Sequence, residues 1–480
     1  MRPFALRRLT PVSAAALALT VGLALPAAAA PGDQLWVGTY AGPGSDDYSY
    51  GVVVSADGQT VVTAGTSDQD ASGTKTDIVT IAREAATGTV RWIRRINGAG
   101  DGTDRYRGLA VNPTQDAVYV TGSVQTTASA PYDWITRAYS LSTGAILWSR
   151  TFSGADGLDD TPSALVVGPG GQRVYVTGEQ DWGSGGQSIR TIAYNANTGT
   201  TAWSRLVGDA GSNYTSTAIA IGPSGQRLFV AGGRQTATGR RAFAAAYGIE
   251  GNLLWTRTMN QAPELPPGSN SNDLFSAFGV SPDGVRVYGT GYASLTGSSG
   301  AILTAALNAA TGAPLWTVRN VPTGAVSAQS AATDRSLAVG PGGARIFVAA
   351  SADTVANGWD IVTLALDATT GTTAWTRTID GTAHDFDAPS AIAVRPSGDQ
   401  VYMTGFVKNS ASQSDARTVA YSTASGNQIW SRSYNGPFNR NDYSRDIAVG
   451  PAGARVFVTG SRALATIPTT TTILTIAYTA

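Results

Sequence analysis

The chain has 480 residues, no cysteine, 57 glycines and equal numbers of acidic and basic side chains, 33 of each. A protein of this size can bury a large core without disulfides, and the balanced charge argues against a nucleic-acid or anionic-membrane partner. A single histidine and no cysteine also exclude a multi-histidine or thiolate metal centre.

The first segment reads as a targeting signal. Arg2, Arg7 and Arg8 form a basic start, Ala14 to Leu25 an apolar stretch, and Pro26 leads into a run of alanines. This order predicts a secretory signal peptide over 1–29, with cleavage after Ala28 or Ala29 and export of the remainder. The apolar stretch is too short to span a membrane, and no later stretch approaches 18 consecutive apolar residues. The rest of the chain, 30–480, keeps 30 basic against 33 acidic residues, a net charge of −3. It is expected to form one soluble, monomeric domain.

That domain is built from a repeat. Trp36, Trp92, Trp148, Trp203, Trp255, Trp316, Trp375 and Trp430 recur every 52 to 61 residues. A near-fixed period of this length is the signature of a repeat architecture. Each unit opens with an apolar run such as Leu109-Ala110-Val111 or Ile219-Ala220-Ile221, followed by a turn such as Pro169-Gly170-Gly171 or Pro223-Ser224-Gly225. Proline presets φ in such a turn and glycine accepts the positive φ that follows. A β-branched and aromatic strand comes next, for example Val174-Tyr175-Val176-Thr177-Gly178. A third strand such as Thr191-Ile192-Ala193-Tyr194 and a Thr-Gly turn lead to the strand that carries the tryptophan. Four short strands per unit, eight times over, predict an all-β, eight-bladed β-propeller with four antiparallel strands per blade. The chain ends on a third strand, Thr472 to Tyr478, and begins on a tryptophan strand, Gln34-Leu35-Trp36. The N-terminal strand is therefore expected to complete the C-terminal blade and close the ring, hiding two open edges.

The tryptophans and the arginines two positions after six of them (Arg94, Arg150, Arg205, Arg257, Arg377 and Arg432) read as a structural ladder. The indoles are expected to fill the wedges between blades, with the arginine stems alongside. Ala193-Tyr194-Asn195-Ala196-Asn197-Thr198-Gly199-Thr200-Thr201-Ala202-Trp203 resembles the tryptophan-docking motif of quinoprotein (PQQ-type) propellers, as do Ala365 to Trp375, Ala306 to Trp316 and Ala138 to Trp148. Gly44 to Val54, leading to Ala64-Gly65-Thr66, resembles the bacterial SBBP-type propeller repeat. The resemblance implies the fold and, for the quinoprotein dehydrogenases, a quinone held with calcium. This chain lacks the adjacent cysteines found in many of those enzymes and shows no recognisable Glu, Asn and Asp set for the calcium. No cofactor is expected, and quinone dependence in particular is not.

The short Pro-x-Gly and Thr-Gly turns share one face of the ring; the loops of variable length share the other, the face expected to bind. Asp47, Asp104, Asp160, Asp273, Asp387 and Asp442 recur there, each seven positions before the end of an inner strand, and a second set, Asp77, Asp133, Asp360 and Asp415, opens the third strands. Of the first set, Asp104, Asp160 and Asp387 are candidate cation ligands, calcium being the ion such loops suit; turn capping through backbone N–H groups is the competing role. Tyr48, Tyr106 and Tyr443 accompany these aspartates as candidate ligand-stacking rings. Trp134, Trp182 and Trp359, outside the ladder, are expected on second-to-third connections of the same face and join the candidates. His384 is the one residue available to a Ser-His-Asp triad, and no Gly-x-Ser-x-Gly elbow accompanies it. The stretches Asn260 to Asn272 and Asn320 to Asp334 are expected as the longest between-blade connections. The leading expectation is an exported, non-catalytic propeller that binds a glycan or a cell-envelope protein through the variable-loop face. The alternatives are a quinone- and calcium-dependent sugar or alcohol dehydrogenase, and a glycan lyase or hydrolase around His384.

Overall fold

The computed structural model describes residues 29–480 except 71–72, 128–130, 155–156, 210, 260–270, 296–298, 332, 355–357, 411–412 and 465–469. The expected signal segment and most of the Asn260–Asn272 stretch thus lie outside the described residues. Eight separate sheets make up the molecule, each built on four antiparallel strands that follow sequence order in all but the last; two sheets carry one further short strand. The first is Asp47–Val54, Thr60–Asp68, Thr76–Glu84 and Val90–Ile96, and the pattern repeats around the ring. One single-turn 3-10 helix, Gly183–Gly185, is the only helical element among the described residues, and no helix is long and apolar enough to cross a membrane.

Closure follows the expected route. The eighth sheet runs Asp442–Val449, Arg455–Ala463, Thr471–Thr479 and finally Gln34–Tyr40, the N-terminal strand. Thr39 pairs with Leu474 and Val37 with Ile476. Beyond the strands, the Gly32 N–H donates to the Thr479 carbonyl (3.0 Å), and the Thr479 N–H to the Asp33 carbonyl (2.9 Å). These two bonds reproduce those of an unbroken turn in the first blade, Gly88 to Glu84 and Glu84 to Thr89. The seam has the bonding of a Thr-Gly turn, with Pro31 and Gly32 in the place of Thr87 and Gly88.

The ladder tryptophans join each blade to the next. The Trp148 ring lies between Tyr119 and Tyr194, at 5.7 and 5.9 Å between centroids, and its Nε1 donates to the Ala196 carbonyl of the following blade at 2.8 Å. Six other ladder indoles donate in the same way, from Trp36 to Ala85 through Trp375 to Thr423. Trp430, facing the split turn, has no such acceptor among the described residues. The paired arginines do more than lie along the rings. Arg150 Nε donates to the Gly199 carbonyl at 2.9 Å, and Arg94, Arg205, Arg257 and Arg377 bind the corresponding glycine carbonyls. Two of them also sit over their tryptophan, Arg94 at 5.9 Å and Arg377 at 5.8 Å.

The sixth blade departs from the expected pattern. Asn320 to Asp334 is not a plain connection: it ends the strand Pro314–Asn320 and contains Ala325–Ser330, which pairs with Arg345–Thr354. The inner edge of this blade is split into Ala325–Ser330 and Leu337–Val339, because residues 333–335 leave the ladder between them.

Candidate functional site

The inner strands of the other seven blades share a register shift at one position. In the first blade the ladder skips from Ser49 to Gly51, in the second from Tyr106 to Gly108, and in the eighth from Ser444 to Asp446. The remaining four shift between Pro162 and Ala164, Ser216 and Ala218, Phe275 and Ala277, and Pro389 and Ala391. A bulge of this kind leaves one residue unpaired and re-aims its side chain. The residues left out are Tyr50, Arg107, Ser163, Thr217, Ser276, Ser390 and Arg445, and every one lines the central cavity. In the sixth blade the bulge is enlarged to a loop that delivers Thr333, Asp334 and Arg335 to the same cavity. One backbone irregularity, repeated around the ring, therefore writes the channel wall.

The cavity measures about 1490 Å³ and opens on the variable-loop face, through the ends of the second strands and the starts of the third. Charge is distributed unevenly within it. Arg335 and Asp334 approach to 4.0 Å. Asp446, which stands where other blades carry a small residue behind the bulge, accepts the Val52 and Ile447 N–H groups, each at 2.8 Å. Burial pushes its carboxyl up to about 6, against the pull of Arg335, while Asp446 in turn keeps the Arg335 guanidinium firmly protonated. Burial lowers the Arg107 guanidinium, with Arg105 acting in the same direction. Glu179 is raised by burial and accepts the Ser216 N–H at 3.0 Å. The Tyr106 hydroxyl lies against Gly51, where a Cβ would come within 2.0 Å of it.

Aromatic rings gather at the mouth in two groups. Tyr48, Tyr50 and Tyr106 form a stacked row with centroids 6.3 and 6.4 Å apart and planes inclined by 28° and 10°. Phe386, Phe406 and Tyr443 form the second group, with Tyr443 edge-on to Phe406 at 4.9 Å and Arg445 above Tyr443 at 5.3 Å. All six rings line the cavity. The three expected tyrosines, Tyr48, Tyr106 and Tyr443, are thus brought to one opening, and Tyr50 is a member that the sequence pattern did not single out.

The other expected residues lie elsewhere. Trp134 and Trp359 are not on connections: they occupy the starts of third strands, Tyr132–Ser140 and Gly358–Asp367. Strand pairing reaches further toward that face than the turn residues suggested. Trp134 is 1% exposed and packs edge-on against Phe152 at 5.2 Å, inside the core between the second and third blades. Trp182 does lie on its connection, where its Nε1 donates to Ser188 Oγ at 2.9 Å. His384 is exposed, adopts a positive φ of 48°, and its Nδ1 lies 2.6 Å from Asp380 Oδ2. None of these four lines the cavity.

The recurring aspartates are buried turn caps. Asp104 accepts the Gly98 N–H at 2.5 Å and the Gln125 N–H at 3.2 Å, and Asp387 accepts those of Gly381 at 2.5 Å and Lys408 at 2.6 Å. Asp160 binds the Gly154 and Asp181 N–H groups in the same manner. Burial nonetheless pushes Asp104, Asp160 and Asp442 up to about 6. Among the described residues, only Asp387 meets two further acids closely: its carboxylate and those of Asp360 and Asp380 place oxygens within 4.8 Å of one another.

The family described as outer membrane protein assembly factor BamB, of the PQQ-repeat type, matches residues 136–294 and 241–475. No curated protein matches in sequence. Among solved structures, BamB from Moraxella catarrhalis is 12% identical with a TM-score of 0.52, covering 93% of this chain and 99% of its own. The quinohemoprotein alcohol dehydrogenase ADHIIG from Pseudomonas putida HK5 is 13% identical with a TM-score of 0.54, covering 92% and 76%. Sqt1 from Chaetomium thermophilum, solved bound to the N-terminus of the ribosomal protein L10, is 13% identical with a TM-score of 0.55, covering 91% and 99%. These structural likenesses carry the fold alone, whereas the family match spans more than two thirds of the sequence. The chain belongs to the BamB-like, PQQ-type propeller family.

Proposed function

We propose that this protein is an exported, non-catalytic binding propeller that takes a glycan or a segment of a cell-envelope protein at the mouth of its central channel. The observation that carries this reading is the pair of aromatic groups at one opening, Tyr48, Tyr50 and Tyr106 on the first and second blades beside Phe386, Phe406 and Tyr443 on the seventh and eighth, along one arc of a cavity of about 1490 Å³. Flat rings on a rigid scaffold stack against sugars or apolar side chains with little loss of conformational freedom. The likeness to BamB and to the peptide-bound Sqt1 supports a protein partner; the ring stack supports a glycan. Binding of soluble cell-wall polysaccharide, and of a proteolysed envelope extract by cross-linking, should fall at least tenfold in a Tyr50→Ala, Tyr443→Ala double variant. An unchanged affinity would reject this mouth as the binding surface. Export is tested by N-terminal sequencing of protein from the culture medium, which should start at Ala29 or Ala30.

The likeness to quinohemoprotein dehydrogenases supports a second reading, a quinone-dependent oxidation. The channel residues do not fit it. A quinone bound with calcium needs a group of open carboxylate or amide oxygens beside it. Here each acid already has a fixed cation beside it, Arg335 for Asp446 and Asp334 and Arg107 for Glu179. Adding PQQ and Ca²⁺ to the purified protein should produce no stoichiometric chromophore and no dye-linked turnover; both together would replace the binding reading with the enzymatic one.

A further inference from the structure

The acids that open the third strands meet different neighbours in different blades. In the first blade Asp77 receives Arg95 Nε at 2.7 Å and Gln69 Nε2 at 2.6 Å. In the seventh, Asp415 receives Asn409 Nδ2 at 2.6 Å and Gln413 Nε2 at 3.0 Å. In the sixth, Asp360 is 2% exposed, and its Oδ1 is buried with no hydrogen-bond partner among the described residues. The strand position that holds Arg95, opposite Val79, holds Thr378 opposite Val362 in this blade. The compensating cation is gone.

An additional acid appears at the same place. Seven residues before the cap Asp387 stands Asp380, where the corresponding loops before Asp104 and Asp442 carry Asn97 and Asn435. Those asparagines donate to Asp101 and Asn439, at 3.0 and 2.6 Å. Asp380 instead turns Oδ2 to His384 Nδ1 and leaves Oδ1 buried, without a hydrogen-bond partner among the described residues. His384 holds the left-handed backbone conformation of Asp101 and Asn439, with φ of 48° beside 49° and 52°. Lys408, the nearest lysine on the adjoining blade, is engaged by Asp385. Three carboxylates so close, two of them with buried empty lone pairs, repel one another unless a cation lies between them.

We propose that Asp360, Asp380 and Asp387 form a site for a hard divalent cation, calcium first, at the junction of the sixth and seventh blades. The donors are all carboxylate oxygens, the chemistry that suits calcium or magnesium rather than a thiolate- or imidazole-seeking metal. Asp387 keeps its two backbone bonds and offers remaining lone pairs. His384 acts as a positioning residue: by holding Asp380 Oδ2 it turns Oδ1 inward. The site fixes the loop between the two blades beside Phe386, one of the rings at the channel mouth.

The test uses purified residues 30–480 stripped with EDTA. Titration with CaCl₂, followed by calorimetry and by thermal melting, should show one ion per chain. At a hundredfold excess over Kd the melting temperature should rise by about 3 °C. Asp380→Asn introduces the residue that the two sister loops already carry, so it should fold normally while weakening calcium binding at least tenfold. Asp360→Asn should do the same and should melt higher than the wild type in EDTA. His384→Asn should retain binding, reduced severalfold. No heat and no melting shift with calcium, magnesium or manganese would overturn the proposal, pointing to acids that share protons instead. So would a calcium response undiminished in both aspartate variants.

Discussion

Gly199 shows what one position in the repeat has to satisfy. Its φ is +66°, and a Cβ built there would come 2.6 Å from the Trp148 ring of the preceding blade. The residue thus answers two demands, the left-handed turn and the flat indole lying on it. Gly199→Ala should lower stability by about 2 kcal/mol or more, combining the left-handed penalty with displacement of the ring. Gly157→Ala, at φ +60° with nothing within 4 Å of its Cβ, should cost only about 1 kcal/mol. Urea unfolding of the two variants separates the contributions. The buried caps make a prediction of opposite chemical character. Asp104, Asp160 and Asp442 are raised from 3.8 to about 6 in the folded protein, so between those values the folded state holds protons that the unfolded chain has released. Stability from these groups is full below about 3.8 and is lost as pH rises through about 6. In EDTA the melting temperature should therefore be higher at pH 5 than at pH 7.5; a rise over that interval would show that the backbone N–H bonds to these carboxylates outweigh their burial. At this scale the tryptophans were legible in the sequence, because spacing alone exposes them. The arginine contacts were not, since Arg150 meets a glycine carbonyl 49 residues away.

The inner strand, as an element, carries the feature that sequence patterning missed. A one-residue bulge leaves the apolar run after it intact, so Leu109-Ala110-Val111 announces a strand while Arg107 reads as ordinary flanking polarity. The trace it leaves is a side chain followed by a small residue and then the apolar run: Ser163-Ala164-Leu165, Thr217-Ala218-Ile219, Ser390-Ala391-Ile392. The same trace, Arg335-Ser336-Leu337, marks the sixth blade, where a longer excursion precedes it. Because serine occupies the bulge in three blades, Arg107→Ser should leave the fold intact and stability within about 0.5 kcal/mol of the wild type. Its effect should fall on ligand affinity at the mouth, and paired melting and binding measurements will show whether the two separate. Trp134 makes the converse point. An aromatic outside the ladder looked like a loop residue, yet strand pairing extends far enough to draw it into the core.

For the whole molecule, eight blades and the meeting of the termini were readable from eight tryptophans and two incomplete strands. Function was less so, because what is repeated serves the ring, and the groups that break the repeat, such as Arg335, Asp446 and Asp380, acquire meaning only beside neighbours distant in sequence. Closure is open to direct test. Deleting residues 30–40 removes the last strand of the eighth blade and bares the edge of Thr471–Thr479. Such an edge templates pairing between chains, so the truncated protein should elute as oligomers or aggregate in size-exclusion chromatography; a stable monomer would show that the strand is dispensable. Since the seam is one of eight equivalent turns, the ring has no privileged starting point. A short linker from Ala480 to Ala30, with new ends cut at Thr198 and Gly199, should yield a permuted propeller of the same shape. Cargo or surfaces attached at either the original or the new ends would hang from the side opposite the aromatic opening, leaving it free to engage its ligand.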